Sequence, residues 1–299
     1  MIETGYRILD IAARTKSLSK AAEELHLSPS AVSRSLAKLE KELGMQLFVR
    51  SSEGVMLTES ARSILPFIRM SLNAELRMEE ELGRISNEQK GIVRVGTFSS
   101  VGCTWLPDIV RIMKEEHPQV ELKIRQGWYY DLEDLLENGD LDVIFASIPI
   151  KSNLPTYPLM RDRLLCIAPR SFEPRNPGFV TIEELRDLPF ILPSKVADFD
   201  AKTFLENNHL QVENPHEVSD DGVIAAMVEG GMGVSIMPEL VLERVKADIG
   251  VYPVETAPMR TIGLATQRAE FVTGAARSFV RVARGYILGR YPEELPYFR

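Results

Sequence analysis

The sequence is poor in the residues that form disulfide bonds and metal centres. Its 299 residues include two cysteines, Cys103 and Cys166, far apart along the chain, which is typical of a protein from a reducing compartment. The four histidines are scattered without the spacing of a metal site. We therefore expect no disulfide, no metal and no cofactor.

Long apolar runs and catalytic motifs are also missing. No stretch approaches the ~20 apolar residues that cross a membrane, and the first residues lack the basic cap and apolar core of a secretory signal. The sequence contains no Gly-x-Ser-x-Gly elbow, no complete phosphate-binding loop and no catalytic histidine pair. These absences predict a cytoplasmic protein that is not an enzyme.

Positive charge is scarce overall, but the deficit is uneven. The formal net charge is −8, yet residues 1–90 contain 13 basic and 13 acidic side chains, whereas residues 91–299 contain 22 and 30. Because the local field rather than the net charge meets DNA phosphates, the neutral N-terminal third remains a candidate for DNA binding. The acidic remainder is not expected to touch DNA.

The stretch LSKAAEELHLSPSAVSRSLAKLEKELG, residues 18–44, has the pattern of a helix, a tight turn and a second helix. Ser19 is the predicted N-cap of the first helix. Ser28 and Pro29 predict the start of the second, because serine caps a helix and proline at the first helical position loses no hydrogen bond. One face of the second helix is apolar and predicted to be buried: Val32, Leu36, Leu39 and Leu43. The opposite face carries small and basic side chains: Ser30, Ser33, Arg34, Ala37 and Lys41.

A hairpin and a long helix are predicted to follow. Residues 47–58, LFVRSSEGVMLT, have the pattern of two short strands around a turn, which is typical of the wing of a winged helix-turn-helix. Residues 58–88 form a long amphipathic pattern behind a Thr58 cap, and a helix of this length favours pairing with a second copy. Pro66 is expected to kink that helix or to mark its true start.

Beyond the polar stretch 86–91 the pattern changes to short strands alternating with helices of 10–15 residues. Such alternation predicts an α/β fold with a parallel sheet. Because about 210 residues remain after residue 90, two lobes are favoured over one sheet.

These residues together resemble the LysR-type transcriptional regulators. The N-terminal block SLSKAAEELHLSPSAVSRSLAKLEKELGMQLFVR carries the resemblance most specifically, and LENGDLDVIFA and AAMVEGGMGVSIMPE support it in the C-terminal part. The resemblance implies a winged helix-turn-helix over residues 1–58 and a dimerising linker helix over 59–90. It also implies a two-lobed effector-binding domain over 91–299 that is similar to periplasmic binding proteins, with lobe I at 91–162 and 265–299 and lobe II at 163–264.

The resemblance also implies partners. Members of the family usually act as homodimers or homotetramers on promoter DNA, respond to a small molecule between the two lobes and act on RNA polymerase. For this chain we expect the effector to be a carboxylate or a planar aromatic compound.

Six residues are candidates for DNA contact: Ser28, Ser30, Ser33, Arg34, Lys38 and Arg50. Arginine can bond two acceptors of guanine in the major groove, whereas Lys38 at the edge of the face and Arg50 in the wing favour phosphate or minor-groove contact. The alternative is an ordinary solvated surface. The family commonly has Ser-Gln-Pro where this chain has Ser28-Pro29-Ser30, so base reading by that glutamine does not carry over.

Seven residues are candidates for effector contact because most follow predicted strands, where ligands of α/β sheets bind: Ser99, Ser100, Trp128, Ser147, Ser194, Ser219 and Thr266. Ser99 and Ser100 offer hydroxyl and N–H groups to an anion, although plain helix capping is the alternative. Trp128 suits stacking on a planar ligand or simply fills the cleft. Asp220 and Asp221 would repel an anion unless one of them is a helix N-cap.

Two other functions stay open from the sequence. One is an α/β small-molecule-binding protein or enzyme with an accessory helical N-terminus, and the other is a structural DNA-binding protein without a ligand. A redox role for Cys103, near a predicted helix start, is a further alternative, whereas Cys166 in an apolar strand is expected to be core.

Overall fold

The structure, a computed structural model, describes residues 2–51, 54–85, 91–193, 199–212, 216–269 and 272–297. The N-terminal third contains four helices and a hairpin: α1 (Ile2–Thr15), α2 (Leu18–Glu24), α3 (Pro29–Leu43), β1 (Phe48–Ser51), β2 (Gly54–Leu57) and α4 (Glu59–Ile85). The two strands pair antiparallel, which confirms the predicted hairpin.

Local capping chemistry sets the limits of α2 and α3. The Ser28 hydroxyl accepts a hydrogen bond from the Ala31 N–H at 3.2 Å, Pro29 opens α3, and Gly44 at φ 68° ends it. The predicted cap of α2 is wrong by two residues. Ser17 is the extended residue whose side chain accepts from the Lys20 N–H, and Ser19 lies inside the helix.

The apolar stripe of α3 packs as predicted. Val32, Leu36 and Leu39 are buried, with Leu36 and Leu39 against Leu9 of α1 and Leu65 of α4. The stripe therefore anchors α3 and leaves its polar face outward.

The linker helix α4 runs unbroken for 27 residues, about 40 Å at ~1.5 Å per residue. The Thr58 hydroxyl accepts from the Ala61 N–H at 3.1 Å, as predicted. Pro66 lies inside the helix and does not mark its start. Phe67 and Met78 on this helix are largely exposed, which leaves apolar surface for a second copy.

The described residues from 91 onward contain nine strands: β3 (Gly91–Thr97), β4 (Val120–Gln126), β5 (Val143–Ile148), β6 (Thr156–Pro169), β7 (Ile191–Pro193), β8 (His216–Val218), β9 (Ser235–Pro238), β10 (Ile249–Tyr252) and β11 (Met259–Thr266). Eight α-helices accompany them: α5 (Ser99–Thr104), α6 (Leu106–Glu116), α7 (Tyr129–Glu137), α8 (Ile182–Arg186), α9 (Phe199–Asn207), α10 (Asp221–Glu229), α11 (Glu239–Leu242) and α12 (Gly274–Arg290). A 3-10 helix spans Pro292–Tyr297. No helix in these described ranges is apolar over a length that could span a membrane.

The main sheet is mixed, and the expectation of a parallel sheet is correct only in part. Its order is β10-β6-β11-β5-β3-β4, with β9 also paired to β6. β3 pairs parallel with β4 and β5, whereas β11 pairs antiparallel with both β5 and β6. β9 and β10 also pair antiparallel with β6, and alternation of strands and helices along the sequence does not reveal these directions.

Separate apolar clusters lie in the two lobes. The core of lobe I surrounds Trp105, Phe145 and Phe279, and the core of lobe II includes Phe190 and Phe204.

Two strands connect the lobes. On β6, Met160 belongs to the first core and Leu164 to the second. The chain returns on β11, which pairs with β5 from Thr261 onward. Residue 265, where the return to lobe I is predicted, lies within β11, and the lobe boundary stays a prediction.

The two cysteines differ in accessibility, which predicts different reactivity. Cys103 is exposed and Cys166 is buried, and burial raises the pKa of the Cys166 thiol to about 12. At pH 8 we expect a thiol-specific disulfide reagent to label one thiol in the folded protein and both in denaturant. The Cys103→Ser variant should show none until it unfolds. Fast labelling of two thiols in the folded protein would contradict this prediction.

Candidate functional site

The carboxyl ends of the lobe I strands gather the polar side chains of the cleft. β3 leads directly into α5, which starts at Ser99, and β4 leads into α7, which starts at Tyr129. Ser147 lies one residue before the end of β5. Because parallel strands end at the same edge, the chain brings these hydroxyl groups to one place, facing lobe II.

Arg260 on β11 is the centre of the cleft. Its Nε donates to Asp162 Oδ2 at 2.8 Å, and its Nη2 lies 2.6 Å from the same oxygen. Nη1 donates to the Tyr129 hydroxyl at 2.5 Å, and Nη2 donates to the Ser100 hydroxyl at 3.1 Å. The guanidinium also lies over the ring of Phe98, 5.4 Å from its centroid. Arg260, at 6% exposure, therefore holds β6, α5 and α7 together.

Lobe II reaches this cluster through Asp200 on α9. Its Oδ2 accepts from the Tyr129 hydroxyl at 3.1 Å and lies 3.5 Å from Arg260 Nη1, while its Oδ1 accepts from the Ser147 hydroxyl at 2.9 Å. Asp200 is buried at 7% exposure. A single carboxylate thus ties the second lobe to hydroxyl groups of the first.

The electrostatics of the cleft are dominated by buried acids around one buried cation. Burial raises the pKa of Asp162, and Arg260 and the Leu240 N–H act in the opposite direction. Burial likewise raises the pKa of Asp221, which Arg260 again partly offsets. The cluster therefore depends on Arg260 for its balance of charge.

Two cavities flank the cluster. One of about 460 Å³ is lined by Ser99, Ser100, Ser219, Asp220 and Asp221, among others. The other, of about 430 Å³, is lined by Ser147, Asp200, Arg260 and residues of α9 and β11. Both volumes are in the range of small-molecule sites.

Five of the predicted effector residues have a defined place at the cleft or beside it. Ser99 and Ser219 line the larger cavity, Ser100 borders it and bonds Arg260, and Ser147 lines the smaller one. Trp128 is half-buried and lines neither cavity, and its neighbour Tyr129 takes the central position.

One acid of the pair at the start of α10 is a helix cap, which was one of the sequence alternatives. Asp220 Oδ1 accepts from the Val223 N–H at 3.0 Å. Asp221 remains beside the cavity.

Thr266 does not lie at the cleft. It pairs with Val143 at the amino end of β5, whereas Thr261, next to Arg260, pairs with Ile148 at the carboxyl end. Thr266 lies six positions along the strand from Arg260, about 20 Å at ~3.4 Å per residue. Because β11 runs antiparallel to β5, the amino end of β11 lies at the cleft and its carboxyl end lies away from it. Ser194 lies outside the described residues.

Three residues at the centre of the cleft were not among the residues predicted from the sequence: Tyr129, Asp200 and Arg260. The signal for Arg260 was an arginine near the start of the apolar strand MRTIGLAT, because a charge on a buried strand needs a partner. Asp200 gives no comparable signal, since an acid in the first turn of a helix is ordinary.

The polar face of α3 is exposed as predicted. Ser30, Ser33, Arg34 and Lys38 are all exposed. Arg34 Nε donates to the Ser30 carbonyl at 3.3 Å, and Lys38 Nζ lies 3.8 Å from Glu42. Arg50 lies on β1, opposite Val55.

A second buried arginine joins the winged helix, the linker helix and lobe I. Arg69 of α4 donates to Asp10 of α1 at 2.6 Å and to Asp140 of lobe I at 2.7 Å. It also donates to the Asn138 carbonyl. Gly139, at φ 74°, lets the backbone approach this side chain, because a Cβ there would lie 3.3 Å from Arg69 Cδ.

Across the described ranges, no group of three His, Cys, Asp or Glu side chains is placed to hold a metal ion.

Comparison with known proteins identifies the family. Residues 5–62 match the bacterial regulatory helix-turn-helix model of the lysR family, and residues 86–287 match the LysR substrate binding domain. The chain is 27% identical to the uncharacterized regulator YybE of Bacillus subtilis over 94% of this chain and 96% of that one. It is 26% identical to the dual regulator GltC of Bacillus subtilis, covering 84% and 85%.

Solved structures show the same architecture. A full-length OxyR variant from Pseudomonas aeruginosa superimposes with a TM-score of 0.79 at 25% identity, over 96% of this chain and 95% of that one. A full-length CbnR bound to its target DNA has the same fold at a TM-score of 0.55 and 20% identity, covering 96% and 100%. Since one family model alone covers residues 86–287, the chain belongs to the LysR family of DNA-binding transcriptional regulators with an effector-binding domain, which are not enzymes.

Proposed function

We propose that this chain controls a promoter by inserting the polar face of α3 into the major groove and by sensing a small molecule between its two lobes. The DNA-contacting residues of this proposal are Ser28, Ser30, Ser33, Arg34, Lys38 and Arg50. The effector-contacting residues are Ser99, Ser100, Ser147 and Ser219, together with Tyr129 and Arg260. The observation that carries the proposal is the Arg260 cluster, because it joins both lobes at the edge of the sheet where ligands bind.

In this mechanism the effector changes how the lobes sit on the Arg260 cluster. A ligand shifts an equilibrium only if it binds one arrangement better, and a group that bonds both lobes meets that condition. We propose that α4 pairs two chains, that the regulator acts on DNA as a dimer or tetramer in the cytoplasm, and that its output reaches RNA polymerase. The α3 helices of two chains would then contact half-sites about 34 Å apart.

Replacing Arg34 by alanine is expected to weaken binding to the regulator's own upstream DNA by about 10- to 100-fold, the range of one good base contact. Fluorescence anisotropy over a salt series measures the affinity and its salt slope. The Arg111→Ala variant is the matched control, because Arg111 is an exposed arginine of α6 paired with Glu115. Unchanged affinity in Arg34→Ala, or the same loss in both variants, would contradict the proposed DNA contact.

A metabolite screen tests the effector site. The effector should raise the melting temperature by mass action and also change the affinity for DNA. The Ser147→Ala variant should weaken both responses, while Ser278→Ala on α12 should leave them unchanged. A compound that stabilises the protein but leaves DNA binding unaltered would not be the effector.

A further inference from the structure

The groups that surround the Asp200 carboxylate form a binding site for a carboxylate. Lobe I supplies two hydroxyl donors, Tyr129 at 3.1 Å and Ser147 at 2.9 Å, and the crossing strand β11 supplies the Arg260 guanidinium at 3.5 Å. Each of these groups donates to an oxygen of the Asp200 carboxylate, and each lies on a packed strand or at the start of a helix. The three donors are therefore positioned without lobe II, and lobe II supplies only the carboxylate.

The two acids bonded to Arg260 differ in how firmly they are held. Asp162 is the cross-strand partner of Arg260, and its Oδ1 accepts from the Leu240 N–H at 3.0 Å. It cannot move away without breaking the β6–β11 pairing. Asp200 belongs to α9, so separation of the lobes withdraws it from Tyr129 and Ser147. Asp200 is the exchangeable anion of the cluster.

The smaller cavity gives a ligand access to this position. Ser147, Asp200 and Arg260 all line it, beside the apolar side chains of Leu164 and Phe204. Among its described lining residues Asp200 is the one acid and Arg260 the one base, whereas the larger cavity is lined by three acids, Asp220, Asp221 and Glu229, and by two bases, Arg244 and Lys246. A ligand with one negative group and a small, partly apolar body therefore fits the smaller cavity.

We propose that Asp200 is an internal carboxylate that holds the lobes together in the absence of effector, and that the effector is a small carboxylate whose anionic group takes the place of Asp200 on Tyr129, Ser147 and Arg260. This inference rests on the proposed function of the cleft as the effector site. Exchange of one carboxylate for another leaves the cluster paired, whereas an amine would bring a second cation against Arg260.

Chemical rescue with acetate tests the exchange in the full-length protein. The Asp200→Ala variant empties the carboxylate position, and acetate is the smallest group that refills it. For a Kd near 10 mM, 100 mM sodium acetate should raise the melting temperature of this variant by about 3 °C beyond the effect of sodium chloride. The wild type should respond less, because Asp200 competes. Acetamide, which has the same shape without the charge, should have no comparable effect.

The Asp248→Ala variant is the matched control. Asp248 is an exposed acid 3.8 Å from Arg170, so its removal opens no buried anion position and should give no acetate response. The Asp200→Ser variant is measured in parallel as a milder change that also frees space. If Asp200→Ala folds only when acetate is present, the proposal is supported. Equal effects of acetate and acetamide in the folded variant, or a larger effect of methylammonium, would overturn it.

DNA binding separates this inference from the proposed function. If Asp200→Ala alters DNA affinity while acetate has no specific effect on either Asp200 variant, the cleft controls DNA binding and the carboxylate assignment is wrong. If acetate rescues stability while neither the substitution nor acetate alters DNA affinity, the anion position is real and the proposed effector role of the cleft fails.

Discussion

Replacing Arg260 by methionine is expected to destabilise the effector-binding domain by about 3–5 kcal/mol, the cost of removing one partner from a buried ion pair. Methionine fills a similar volume but leaves Asp162, at 2% exposure, and Asp200, at 7%, without their cation. By the size scaling of protein melting, scanning calorimetry should show the transition lowered by about 10 °C.

The pH dependence of this loss gives a second measurement. Arg260 lowers the pKa of Asp162 against the effect of burial, so its removal raises that pKa further. When folding raises the pKa of a carboxyl group, the protonated group stabilises the folded state at a pH below its ordinary pKa. This stabilisation is lost as the pH rises through the raised pKa. The deficit of Arg260→Met should therefore be largest at neutral pH and should shrink as the pH falls toward ~4.

The Arg163→Met variant is the control, because it also removes one positive charge from a strand beside Asp162. Arg163 lies next to Asp162 and makes a two-point ion pair with Glu239 at 2.8 and 2.5 Å, but both side chains are exposed. Exposed pairs contribute little, so this variant should melt close to the wild type at every pH. A deficit in Arg260→Met that does not change with pH would show that lost packing, and not unpaired acids, causes it.

Replacing Arg69 by methionine is expected to release lobe I from the winged helix. Arg69 is 6% exposed and bonds Asp10 and Asp140, which belong to different parts of the chain. Burial raises the pKa of Asp140 and Arg69 opposes that effect, so the substitution leaves an uncompensated acid. We expect a loss of about 3 kcal/mol or more, concentrated at this junction.

Hydrogen exchange and ligand response measure the consequence. In Arg69→Met, amides near Asp10 and Asn138 should exchange faster while the cores of both lobes keep their protection. A ligand that alters DNA affinity in the wild type should still bind but alter that affinity less. The Arg62→Met variant is the control, because Arg62 is an exposed arginine of the same helix that donates to the Leu57 carbonyl. Full response in Arg69→Met would show that coupling between the sites does not pass through this junction.

Local chemistry was predictable from the sequence because it depends on neighbours a few residues apart. The Ser28 cap, the buried stripe of α3 and its exposed polar face follow from helical spacing alone. The α2 cap was misplaced because Ser17 and Ser19 both precede the same apolar run. The mixed sheet was missed because alternation of strands and helices carries no information about the direction of β11, β9 and β10.

The sequence by itself determined the family, the order of the helix-turn-helix and the effector-binding domain, and which face of α3 is exposed. Only the tertiary structure decided the interior of the cleft. Ser100 and Arg260 are 160 positions apart, and Tyr129 and Asp200 are 71 apart. Their association depends on two crossing strands and on the docking of one lobe against the other. A buried arginine finds its partners through that packing, so its role in the cleft cannot be assigned before the fold is known.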